Sequence, residues 1–313
     1  MNAQLKHNFV WSGRVDGTLE SDLRWHQVVE YTQLDEINGL KNTWGIIGFP
    51  CDEGVKRNYG RIGAAAGPTE IRKASCNFPL HQSDQNIVDF GDIDCSGTTL
   101  EEQQQNLIDV IKQIQVQGGK TIVLGGGHEI TYPHFAGIKN AHQQKSIGII
   151  NFDAHFDLRE VSSNIGPTSG TGFWEIKNTF GELNYLILGV QKISNTGTLF
   201  DRAKQYGVQQ IAADLFDVGQ TEMIMRSIST FCKSVDLIYV TLDMDVFSAA
   251  YAPGVSAPAS KGLIPNNEFQ QIFEFVKKQS NVVAFDIAEL NPLYDNDAQT
   301  AKLAASFLYD WLS

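Results

Sequence analysis

Cysteine is scarce in this chain. Cys51, Cys76, Cys95 and Cys232 are the four among 313 residues, and they show neither CxxC spacing nor the density of a disulfide scaffold. Free thiols in a reducing cytosol are the expectation. Basic residues are also in deficit. Lysine and arginine number 24 against 36 acidic residues, giving a formal net charge of −12 and a pI near 5.0. That balance argues against nucleic acid or an anionic membrane as a partner. Apolar runs of membrane-spanning length are missing, and the stretch MNAQLKHNFVWSG lacks a basic region followed by an apolar one. A cytoplasmic protein is expected. No internal repeat, low-complexity tract or long linker interrupts the chain.

What is present is an alternation of strands and helices. Hydrophobic residues at 42% and charged residues at 19% suit a soluble globular protein. Strands are predicted at TWGIIGF (43–49), QNIVDFGDI (85–93), KTIVLGG (120–126), SIGIINF (146–152), NYLILGV (184–190), GVQQIA (207–212), DLIYVTLDMD (236–245) and NVVAFDIAEL (281–290). Several are continuous apolar runs, as expected of parallel strands covered on both faces. Between them run amphipathic stretches at Thr98 to Val116, Asn267 to Gln279 and Ala298 to Leu312; the first has a threonine cap and early glutamates. The pattern predicts one domain over residues 1–313, an α/β fold with an α/β/α sandwich on a mainly parallel sheet. Residues 1–42 precede the first of these strands and are expected to wrap the domain.

The segment Asn151 to Arg159 reads NFDAHFDLR, directly after an apolar run. If it is extended, residues two apart share a side, and Asp153, His155 and Asp157 aim at one spot. In open α/β sheets ligands bind beyond the carboxyl ends of the strands. Three further strands end there in chemistry. KTIVL leads into Gly125-Gly126-Gly127-His128-Glu129, DLIYVTL into Asp243-Met244-Asp245, and NVVAFDIA into Glu289-Leu290-Asn291-Pro292.

Charge suggests what such a rim holds. Two divalent cations bring +4, and Asp153, Asp157, Asp243 and Asp245 bring −4, with His128 and His155 neutral. Such a centre can turn a bridging water into hydroxide, a nucleophile at neutral pH. Oxygen-rich ligation with two imidazoles and no thiolate suits manganese better than structural zinc. Without metal, the four carboxylates would repel and their pKa values would rise. Each residue taken singly has a plainer reading: Asp243 as a cap or turn residue, GGG as a tight turn, Glu289 as a capping or salt-bridge carboxylate. His134 and His142 read as structural or surface residues.

GGGHE (125–129), DAHFD (153–157), LDMDVF (242–247), the ELNP that opens with Glu289, and GRIGAAAGPTEIR (60–72) together resemble the ureohydrolase family of arginases and agmatinases. The resemblance runs from about residue 44 to the C-terminal helix. It implies a parallel eight-stranded sheet, two Mn2+ per subunit, hydrolysis of C–N bonds at guanidino or formimino carbons, and a homo-oligomer, trimer or hexamer. By the same resemblance His128 and Asp157 would hold one ion and Asp153 and His155 the other, with Asp243 and Asp245 completing the pair. Asp157 would also accept a hydrogen bond from the hydroxide and pass its proton to the leaving amine. Glu289 would face the amidine carbon and neutralise its cationic nitrogens, a planar cation that a carboxylate grips with paired hydrogen bonds.

Two departures from the arginase pattern bear on the substrate. Ser169-Gly170-Thr171-Gly172-Phe173 places Phe173 where arginases carry a proton-shuttling histidine. Arg159 follows DAHFD where arginases have a neutral amide, and it could clamp a carboxylate bidentately; the plainer reading is a surface or interface ion pair. GGGHE, DAHFDLR, SGTGF and APGVSAPA (252–259) are most similar to the formimidoylglutamase branch, although Gly172 stands where that branch often has proline and Trp174 where it has arginine. The implied reaction is N-formimidoyl-L-glutamate plus water giving L-glutamate and formamide, a step in histidine breakdown. Arg159, Ser169, Thr171 and Arg61 are the expected substrate contacts, with Arg57 a further candidate. A guanidino-acid hydrolase releasing urea and a metal-binding homologue without turnover are the alternatives, with a zinc deacylase more remote.

Overall fold

A computed structural model describes residues 5–34, 36, 39–81, 86–216 and 219–313. Gln85 of the second predicted strand, and residues 1–4, 35, 37 and 38 of the N-terminal stretch, lie outside the described residues. Ten strands form one sheet among the described residues: β1 (Leu5–Lys6), β2 (Glu30–Tyr31), β3 (Thr43–Phe49), β4 (Asn86–Ile93), β5 (Lys120–Gly125), β6 (Ile147–Phe152), β7 (Asn184–Val190), β8 (Gln209–Ala212), β9 (Leu237–Asp243) and β10 (Val282–Ala288). Their order is β1-β4-β3-β5-β10-β9-β6-β7-β8, with β2 also pairing β4. Every pairing is parallel except β1 with β4.

The eight predicted strands are all present, and two more join them. The stretch 1–42 supplies β1 and β2, both on β4. Each is two residues long, too short to leave a periodic signal, so the sheet exceeds the expected eight.

The sheet is covered on both sides, which explains the continuous apolar runs. Alternate strand residues enter different clusters: Ile122, Leu124, Ile150 and Phe152 join one, and Val123, Ile147 and Ile149 the other. The first cluster packs the helices Asn267–Lys277 and Gln299–Leu312, and the second packs Leu100–Val116. Thr99 caps Leu100–Val116 reciprocally with Glu102.

The N-terminal stretch is tied down by a buried charge cluster. Arg72, on the helix Gly67–Ser75, donates to Asp89 through Nε at 2.8 Å and to Asp92 through Nη1 at 2.6 Å. Trp11 Nε1 donates to the same Asp89 carboxylate at 2.8 Å. The arginine in GPTEIR is therefore an internal counter-ion, and the tryptophan is a latch on it. Trp11→Phe should lower global stability by about 2 kcal/mol, the usual worth of a hydrogen bond to a charged group, read by urea unfolding.

The topology sets up the site. β5, β10, β9 and β6 are adjacent in the middle of the sheet. They are the four strands whose carboxyl ends carry His128, Glu289, Asp243 and Asp153. Neighbouring strands are roughly 4.8 Å apart, so four chain-distant segments open onto one short rim.

Candidate metal centre and its cleft

The loop after β5 is clamped before it delivers its histidine. Gly126 N donates to Phe49 O and Gly127 N to Cys51 O, at 2.9 and 3.0 Å. A Cβ on Gly126 would lie 1.8 Å from Cys51 O, so only glycine allows this approach. The chain then turns at His128–Ile130, where His128 N donates to Glu289 Oε1 at 2.8 Å. Glu129 closes the clamp from the other side, accepting from Gly54 N at 2.8 Å. His128 Nδ1 faces three carboxylates, 2.9 Å from Asp157, 3.2 Å from Asp243 and 3.3 Å from Asp153.

The DAHFD segment converges differently from the extended reading. β6 stops at Phe152, and the next residues are irregular. Asp153 accepts from His155 N at 2.7 Å, an Asx-type turn. Asp157 takes φ +47°, a left-handed conformation that aspartate tolerates better than most residues. Asn195 braces the turn, donating to Ala154 O at 2.8 Å and accepting from Phe156 N at 3.0 Å. Strand alternation did not align these side chains. A braced turn did, and it splits them between two clusters.

His128, Asp153, Asp157 and Asp243 form one cluster, and Asp153, His155 and Asp245 the other; within each, the ligand-type atoms lie within 4.8 Å of one another. Asp153 is common to both. All six expected ligands are thus brought together. Asp243 also accepts from Asp245 N at 2.8 Å, so the cap reading of that residue holds alongside the cluster reading. Glu289 stands at φ +66° with its N–H on Gly126 O, which turns its side chain from the end of β10 toward the cluster.

The electrostatics are those of crowded, buried anions. Burial, then Asp245 and Asp153, push the Asp243 carboxyl well above the usual range. Burial, then the Asp153 charge, raise Asp157. Asp245 is pushed up to about 6 by burial, against the pull of His155, with Asp153 and Glu289 adding to the rise. Burial and then Asp243 raise Glu289 strongly. Burial opposes a charge on His128, but its contacts with Asp153, Asp157 and Asp243 outweigh that and hold its pKa well above the imidazole range. Asp153 goes the other way, because His128 and His155 outweigh its burial.

A cleft of about 340 Å³ opens above the clusters, lined by His155, Asp157, Asp243, Asp245 and Glu289. Arg159 and Ser169 line it too. Arg159 is exposed, and its guanidinium makes no ion pair or hydrogen bond among the described residues. Its backbone is fixed, with Arg159 N on Gly170 O at 2.9 Å and Arg202 Nη1 on the neighbouring Leu158 O at 2.6 Å. Asn58, Tyr59, Ser194, Asn195 and Ser256 also line the cleft. Of these only Ser256 fell in a quoted motif, APGVSAPA, and none was singled out, because each comes from a segment remote in sequence from the metal-type residues.

Three of the expected substrate contacts have their side chains engaged elsewhere. Arg61 borders the cleft, but its Nε donates to Ser256 O at 3.0 Å, its Nη2 to Val255 O, and the guanidinium lies 4.0 Å over the Tyr294 ring. It holds the 252–259 loop and is not a spare cation. Arg57 is paired with Glu101 at 2.7 Å. Thr171 is buried away from the cleft, donating to Thr168 O at 2.9 Å and lying 2.7 Å from Glu175 Oε1. Phe173 does not enter the cleft either. It stacks on Tyr185 at 4.1 Å and meets His128 edge-on at 6.0 Å, supporting the imidazole from behind.

Glu175 carries a pH signature of its own. Burial pushes its carboxyl up to about 7, against the Thr171 contact. A carboxyl whose folded pKa is raised loses stability as pH climbs from its unfolded value to its folded one. Glu175→Gln should therefore leave stability at pH 4.5 nearly unchanged and raise it at pH 8 by roughly 2 kcal/mol, allowing for partial solvent access. Urea melts at the two pH values check this.

The arginase-family model matches residues 42–313. The chain belongs to the arginase family. Among its family relatives, a formimidoylglutamase from Chromobacterium violaceum is 40% identical over 301 residues, covering 95% of this chain and 94% of that protein. One from Geobacillus sp. (strain WCH70) is 37% identical, covering 96% and 93%. Among solved structures, the Bacillus subtilis formimidoylglutamase matches with a TM-score of 0.83 at 24% identity, covering 98% of this chain and 95% of that one. A Trypanosoma cruzi formiminoglutamase with Mn2+2 matches at TM-score 0.78 and 24% identity, covering 90% and 94%. These two share the arginase fold seen here.

Proposed function

We propose that this arginase-family protein is a binuclear manganese hydrolase that cleaves the formimino C–N bond of N-formimidoyl-L-glutamate. The observation that carries the metal reading is the double cluster itself. Four aspartates face two imidazoles with no lysine or arginine in either group, and Asp245 Oδ1 and Glu289 Oε2 are buried without a partner among the described residues. Buried anions are expected to be paired or to hold metal. The donors are carboxylate oxygen and imidazole nitrogen without thiolate, which suits hard divalent ions such as manganese. His128, Asp153, Asp157 and Asp243 would hold one ion, and Asp153, His155 and Asp245 the other. When bound, such a pair supplies Lewis-acid charge and a nucleophile from water at neutral pH.

The protein's own groups then fit a small amidine bearing carboxylates. Glu289 Oε1 is engaged by His128 N, which leaves Oε2 for the cationic formimino nitrogens. Asp157 lines the cleft, placing it to carry a proton to the leaving amine. The unpaired Arg159 supplies the cation for a substrate carboxylate. Water adds to the formimino carbon, the C–N bond to the glutamate nitrogen breaks, and that nitrogen takes the proton. L-glutamate and formamide result. The curated relatives support this substrate over a guanidino acid.

Metal dependence is the direct test. Chelated protein should release no glutamate from formimidoylglutamate, and added Mn2+ should restore release with two ions per chain. Undiminished release by protein shown to be metal-free would end the proposal.

A further inference from the structure

A second polar chain runs behind the metal centre, inside the sheet. His128 presents Nδ1 to the carboxylates, while its other nitrogen, Nε2, lies 2.8 Å from Thr241 Oγ1. Thr241 is on β9, two residues before Asp243 and on the strand register opposite Asp286 of β10. Tyr239 stands two residues before Thr241 on the same face of β9, close to the hydroxyls of both Thr241 and Thr131, and its own hydroxyl donates to Asp286 Oδ2. His134 Nδ1 meets the same Asp286 oxygen at 2.6 Å, and its Nε2 lies 2.9 Å from Thr121 Oγ1. Thr241, Tyr239, Asp286, His134 and Thr121 are each fully buried.

One consistent set of proton positions runs through this chain when Nδ1 of His128 is a ligand. Nε2 then carries the proton and donates to Thr241 Oγ1. The threonine hydroxyl donates onward to Tyr239, and the tyrosine to Asp286, an acceptor-only carboxylate. His134 Nδ1–H donates to that carboxylate from the far side, and His134 Nε2 accepts from Thr121. Each donor is used once and every step ends on an acceptor. A ligand imidazole whose second nitrogen is tied to a carboxylate, here through two hydroxyls, is held in one tautomer and orientation and binds its ion more firmly. His155 has no such chain among the described residues: its Nδ1 approaches Asp153 and Asp245, and it is partly exposed.

We propose that Tyr239 and Asp286 are positioning residues for the His128 ion: the buried run Thr241–Tyr239–Asp286–His134 fixes the His128 tautomer and tightens one of the two metal sites and not the other. This rests on the binuclear reading above. His134, which looked structural in the sequence, becomes the outer anchor of the run.

The test is a titration of metal-free protein with Mn2+ alone, counting bound ions by the electron paramagnetic resonance of free Mn2+. The parent should take up two. In Tyr239→Phe and Asp286→Asn one ion should weaken by roughly 10- to 100-fold while the other stays within about threefold. The double variant should be no worse than the weaker single, because the two act through one path. Thr241→Val should repeat the loss and Thr241→Ser, which keeps the hydroxyl, should restore the parent value. Tyr239→Phe preserves the ring against His134, so this series decides the matter even if Asp286→Asn does not fold. Two ions of parental affinity in every variant, or equal weakening of both, would overturn the relay and leave the binuclear centre standing. A parent that binds no Mn2+ would overturn both.

Discussion

Asp243→Asn will cut turnover of the manganese-loaded protein by about 1,000-fold or more, and will make the metal-free protein more stable at pH 8. Both halves follow from one carboxylate. Asp243 faces His128 Nδ1 at 3.2 Å at the end of a central strand. With metal present, losing its charge removes a ligand from a centre whose charge stabilisation amounts to several kcal/mol, and each 1.36 kcal/mol is tenfold in rate. Without metal the same charge is a burden. Burial and the neighbouring Asp245 and Asp153 hold its pKa far up, so the folded state binds its proton more tightly than the unfolded chain does. Stability contributed by that proton is present at low pH and lost as pH rises through the folded pKa. Asparagine keeps the acceptor for Asp245 N and discards the repulsion. Thermal melts at pH 8 should therefore rank the variant above the parent in chelator and below it in excess Mn2+. The same ranking in both buffers would contradict the account.

Arg159→Ala should lower kcat/KM for formimidoylglutamate by about 100-fold, with most of the change in KM. The guanidinium lines the cleft without a partner among the described residues, while its backbone is held by Gly170 and the next residue back by Arg202. A pre-positioned fork of this kind contributes roughly 3 kcal/mol when it grips a carboxylate, and equally in ground and transition states. Arg159→Lys should recover only part of it, since an ammonium cannot bind bidentately. A fall in kcat at unchanged KM would place Arg159 in the chemistry instead of the grip.

The candidate metal centre was legible in the sequence because each expected ligand sits at or just beyond a strong strand, and strands announce themselves by apolar runs. The parallel order then needs only adjacency of β5, β10, β9 and β6 to bring them together. What was illegible depends on long-range backbone contacts. Arg61 resembled a free cation until its donors were seen on Val255 and Ser256, nearly 200 positions away. Thr171 lay in a suggestive motif, but its hydroxyl is consumed by its own turn and by Glu175. Asp157 reached its place through a positive φ that no alternation rule contains. The bracing amide of Asn195 and the run behind His128 join residues with no sequence proximity, so only coordinates reveal them.

The most direct measurement is product analysis of the Mn2+-loaded protein given formimidoylglutamate and, separately, arginine, agmatine and 4-guanidinobutyrate. Formamide and glutamate in equal amounts from the first, with no urea from the others, is the predicted result. Urea from a guanidino compound with formimidoylglutamate left intact would contradict it.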